Sequence, residues 1–83
     1  MVKAPEYCLQ AVKLAIQNDW DDAHNIVQDF SDPIACWIHA VLHKIEGDAW
    51  NSRYWYARSE HSYEEFSDPL QELKYIASCL EAE

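Results

Sequence analysis

At 83 residues, 49% of them hydrophobic and only one of them glycine, the chain has the length of one small domain with a core of modest stability. Its 15 acidic and 6 basic residues give a net charge of -9. Such a field repels phosphate backbones and anionic lipid headgroups, so nucleic acid and membrane surfaces are excluded as expected partners.

The cysteines, Cys8, Cys36 and Cys79, are far apart and form no C-x-x-C pair. This pattern predicts buried free thiols in a reducing compartment. The opening MVKAPEYCLQ has no long apolar run behind a basic patch. No stretch approaches the roughly 20 apolar residues of a membrane span. A cytoplasmic, soluble protein is expected, with one domain over residues 1–83.

In chain order, Pro5 suits a first helical turn. Glu6, Gln10, Lys13 and Gln17 then recur at helical spacing, while Tyr7 through Ile16 otherwise supply a broad apolar arc. Asn18 or Asp19 can cap a second helix with Trp20, Ala23, Ile26, Val27 and Phe30 on one stripe. The short connection makes these two helices antiparallel neighbours. Asp32-Pro33 gives a capping residue followed by proline at the first helical position, and a third helix runs to about Glu46. Its apolar arc is Ile34, Trp37, Ile38, Val41, Leu42 and Ile45. Gly47 ends it and Asp48 caps a fourth helix, Ala49 to about Ser59. Asp68-Pro69 repeats the start signal for a last helix carrying Leu70, Leu73, Ile76, Ala77 and Leu80. No segment alternates as a strand would. The fold class predicted is all-α, about five helices, as two antiparallel helical hairpins closed by a C-terminal helix.

The first hairpin can be laid over the second at an offset of 29 residues, Asn18-Asp19 falling on Gly47-Asp48. NDWDDA and GDAWNS resemble the turn and second-helix start of tetratricopeptide and Sel1-like helical hairpins. Trp20, Ala23-His24 and Gln28, then Trp37, His39, His43, Glu46, Asp48, Asn51 and Tyr54-Trp55, with His61 later, make a broader pattern. It is similar to a family of small bacterial helical proteins without an assigned activity, with W-x2-AH-x3-Q and H-x3-HR-x-E-x-D-x2-N-x2-YW motifs and a later His-Pro. Lys44 stands here for the arginine and Ser62 for the proline. The resemblance strengthens the choice of these residues, and it implies no chemistry.

On the third helix His39, His43 and Glu46 fall within about 60° of arc. Two histidines at i and i+4 can bind one transition metal, zinc, copper, nickel or iron, and Glu46 could add an oxygen ligand. The face lies opposite the main apolar arc, so a half-exposed polar face is the plainer expectation. His24 sits on the flank of its helix's stripe, where it would hydrogen-bond Gln28 or reach a neighbouring helix. His61, in a loop, could complete the cluster. Capping by Asp48 and a salt bridge from Glu46 to Arg53 or Arg58 are expected before any acid/base role.

Trp50, Tyr54, Trp55 and Tyr56 surround the fourth helix on nearly all sides, more rings than one core takes. Trp50, Asn51, Tyr54 and Arg58 therefore form a candidate binding surface for a protein or peptide partner, or for a second copy of the chain. Asn51 and Arg58 could hold a carboxylate or phosphate; the plainer reading is a surface polar stripe. The leading expectation is a small binding or interaction module of helical-hairpin type. The alternative is a metal-binding protein or metal-assisted enzyme using His39 and His43 with Glu46, His24 or His61. No cofactor beyond that divalent transition metal is implied.

Overall fold

The computed structural model describes residues 6–82. Five helices follow one another: α1 Glu6–Ile16, α2 Trp20–Val27, α3 Pro33–Ile45, α4 Ala49–Tyr56 and α5 Pro69–Glu81. There is no strand among the described residues, so the all-α expectation holds, with α1/α2 and α3/α4 as the hairpins and α5 packed on α1 and α3. The helix start expected at Pro5 lies outside the described residues. The fourth helix stops at Tyr56, three residues short of the Ser59 expected from the sequence.

The starts and stops follow from local chemistry. The Asp32 carboxylate accepts from Ala35 N at 3.0 Å, Asp48 from Asn51 N at 3.2 Å and Asp68 from Leu70 N at 3.0 Å, each satisfying an amide that the first turn leaves open. Asp19 occupies the corresponding position of α2 without a side-chain cap bond. Both hairpin turns are built alike. Asn18 (φ 67) and Gly47 (φ 83) adopt left-handed backbone conformations. Asp19 N donates to Leu14 O and Asp48 N to His43 O, both at 2.9 Å, while Asn18 N reaches Ala15 O and Gly47 N reaches Lys44 O. These are two Schellman closures, at the 29-residue offset read from the sequence.

Helix α3 runs through the middle of the molecule. It touches α1, α2, α4 and α5, and every residue from Ala35 to His43 is buried. The expected arc buries Trp37, Ile38, Val41 and Leu42, but Ile45 is exposed beyond the end of the packing. The half-exposed polar face expected for His39 and His43 is not found: they are 4% and 9% exposed. Periodicity identified the more apolar side of α3 correctly, yet a central helix has no solvent side, and α2 and α4 cover the other one.

A second buried polar group was not anticipated. Glu72 on α5 is fully buried, with Lys44 Nζ at 2.9 Å, Trp37 Nε1 donating at 2.8 Å and the Tyr56 hydroxyl donating at 2.7 Å. Lys44 also donates to the carbonyls of Tyr63 and Phe66. One ion pair thus ties α3, α4 and α5 to the loop between the last two helices. Its sequence signal was the i, i+4 spacing of Glu72 to Ile76, which puts the carboxylate at the edge of the apolar arc of α5.

Of the three thiols expected to be buried, Cys8 and Cys36 are, and Cys79 is exposed. All three are free. Burial raises the Cys8 thiol to about 12 and also pushes Cys36 upward, so neither is a ready thiolate.

A cluster of three histidines between α2, α3 and α4

The cluster is assembled by two helices and walled by two tryptophans. His39 and His43 project from one side of α3, four residues and just over one turn apart. α2 runs alongside and delivers His24 to the same place. The ring centroids of His24 lie 4.7 Å from His39 and 5.4 Å from His43, and those of His39 and His43 are 5.0 Å apart. One potential ligand atom from each of the three lies within 4.8 Å of the others.

Trp20 stacks on His24 at 4.7 Å and meets His43 edge-on at 5.9 Å. Its indole N–H donates to Leu42 O at 2.7 Å, which locks the ring against α3. On the other side Trp55 of α4 stacks on His39 at 4.0 Å. These walls were not assigned to the site from the sequence, although Trp20 stands four residues before His24 and so shares its helical face.

Glu46 does not reach Arg53 or Arg58, as the sequence led one to expect. Its carboxylate accepts from His43 Nδ1 at 2.6 Å. Arg53 pairs with Glu64 at 2.6 Å, and Arg58 donates to Tyr54 O while lying 3.7 Å over the Tyr54 ring. The Schellman turn explains the exchange: it folds the chain back directly after α3, so Glu46 stays over the last turn of its own helix. A carboxylate can only accept here, so the His43 Nδ1 carries the proton, which in a neutral ring leaves the lone pair on Nε2. Asp48 is engaged as the α4 cap, with Asn51 Nδ2 on its other oxygen at 2.6 Å. Those two Asn51 bonds hold the Asp48 carboxyl below its ordinary range.

Burial, reinforced by the His24 and His43 rings, lowers the His39 pKa to about 3. Burial and then His43 lower His24 also. His39 Nδ1 is buried with no hydrogen-bond partner among the described residues. An orphaned ring nitrogen in a packed interior costs of the order of 1–3 kcal/mol, which a bound ion would offset. The expected Gln28 partner of His24 bonds Asn25 instead, at 3.3 Å.

His61 does not join the other three. It stacks on Trp37 at 3.5 Å, with Nδ1 at 3.1 Å from Glu65 Oε1. That places it beside a surface cleft of about 220 Å³ lined also by Tyr75 and Cys79. Of the candidate binding surface on α4, Trp50 is 75% exposed and Tyr54 40%. The two rings are parallel at 5.9 Å, with the Arg58 guanidinium continuing the stack. Asn51 is half-buried and committed to Asp48.

Comparison of the chain with family models, with curated proteins and with solved structures finds no match.

Proposed function

We propose that the protein binds one divalent transition metal ion, zinc being the ion that best suits a compact shell of neutral imidazoles, through His24, His39 and His43. The observation that carries this reading is the meeting of three imidazoles from two helices with potential ligand atoms within 4.8 Å, one ring being a buried histidine with an unpartnered nitrogen. Burial holds His39 in the neutral state a metal requires, so no proton has to be displaced from it at neutral pH. Glu46 on His43 Nδ1 is the carboxylate that usually orients a metal-bound histidine. Three free cysteines agree with a cytoplasmic location.

Elemental analysis of the purified protein and calorimetric titration of the chelated protein with zinc should give one ion per chain. His24→Gln and His43→Gln should each remove that stoichiometric site while leaving the helical circular dichroism intact. A wild-type protein that takes up no zinc or nickel would end this reading.

A second reading is supported by the Trp50, Tyr54 and Arg58 stack. Two rings held face to face and largely open to solvent on α4 form a surface for a protein or peptide partner or a second copy of the chain. Sedimentation velocity of wild type against Trp50→Ala across a concentration series tests the self-association form.

A further inference from the structure

Granting the metal-binding reading, on which this inference rests, we propose that the ion keeps one exchangeable position, open to water or to a small monodentate anion. The three-imidazole group has no fourth histidine, cysteine or carboxylate among the described residues, and the other possible group, His43 with Glu46 and Asp48, shares only His43 with it. A tetrahedral ion with three protein ligands takes its fourth from solution.

The neighbouring groups are turned to other uses. Glu46 is bonded to His43 Nδ1, and the two nitrogens of an imidazole diverge, so a carboxylate on Nδ1 lies away from an ion on Nε2. Asp48 is held by two bonds from Asn51. The Trp20 N–H is spent on Leu42 O, and the Trp55 face covers His39. None of these supplies a fourth ligand without breaking a contact that shapes the hairpin.

Charge and access define the occupant. Three neutral donors put no ligand charge on a divalent ion, the Glu46 carboxylate standing one ring away on His43, which favours an anionic fourth ligand and lowers the pKa of bound water toward neutrality. His24 is the one half-buried member of the three, so entry lies on the α2 side. Tryptophan walls on two of the rings restrict that entry to small species such as azide, bicarbonate or hydroxide.

The test uses the full chain loaded with cobalt(II), whose visible spectrum reports coordination, and titrates sodium azide into wild type and Glu46→Gln. A saturable shift of the cobalt bands in both proteins is expected. Cobalt bands that azide leaves unmoved in wild type would overturn the open position while leaving the metal reading intact. A response confined to Glu46→Gln would overturn it too, by showing that Glu46 is the fourth ligand. Absence of any protein-bound cobalt spectrum would remove the metal reading and this inference together.

Discussion

At the scale of single residues, the buried groups His39 and Glu72 each carry a prediction about stability. The folded protein holds His39 near 3, whereas a histidine in the unfolded chain titrates near 6.5. The unfolded state therefore binds a proton that the folded state refuses in that interval. Stability is complete above about pH 6.5 and falls as pH drops toward 3. The loss is of the order of a few kcal/mol, at roughly 1.4 kcal/mol per unit, and the lowered His24 acts in the same direction. Urea midpoints at about pH 7 and 4.5 should converge for His39→Asn and diverge for wild type; equal losses in both would show that His39 is not the group refusing the proton. Glu72 is fully buried and paired with Lys44 at 2.9 Å, so Lys44→Ala should cost about 3–5 kcal/mol by leaving a buried carboxylate uncompensated. Urea unfolding at neutral pH measures it, and a cost below 1 kcal/mol would mean that water replaces the ammonium. Neither role was legible in the sequence. The histidine spacing was visible, but burial depends on which helices cover a face, and although Glu72 stands at the edge of an apolar arc, nothing local points to its Lys44 partner 28 residues away.

At the scale of elements, the Asp-Pro starts, the Gly47-Asp48 turn and the apolar stripes were legible because they are set by backbone chemistry within a few residues. The end of α4 was not, since Ala57 through Ser59 keep hydrogen bonds to the preceding turn without continuing a regular helix. The repeat at 29 residues has a specific physical content in the two left-handed closures. At Gly47 a Cβ would meet nothing within 4 Å, so Gly47→Ala is a conformational change without a clash. It should cost about 1 kcal/mol from the positive φ alone, or roughly 4–8 °C in Tm for a domain of this size. Asn is the residue that nature places at the equivalent Asn18, and Gly47→Asn should recover part of the loss. Thermal melts of the two variants decide the matter: a much larger loss for alanine would mean that the turn also fixes the Glu46–His43 contact.

At the scale of the whole molecule, α2 is one of the two short helices, with α4. It has eight residues and only Ala23 and Val27 fully buried, and helices shorter than about 12 residues are marginal without tertiary support. His24 is the sole contribution of α2 to the three-histidine group, while both other ligands stand on α3. On the proposed metal-binding reading, an ion there would act as a clamp between the first hairpin and the second. A ligand present at 100 times its Kd adds about 2.7 kcal/mol, which for this length is on the order of 10–20 °C in Tm. The gain should not be spread evenly. Amide exchange in α2 should slow more than in α5, which lends no ligand, because the local opening that releases His24 is suppressed first. The comparison is hydrogen exchange of the chelated and zinc-loaded chain, with His24→Gln as the control. Slowing of α5 equal to that of α2, or slowing of α2 that survives in His24→Gln, would place the ion somewhere other than between these two helices.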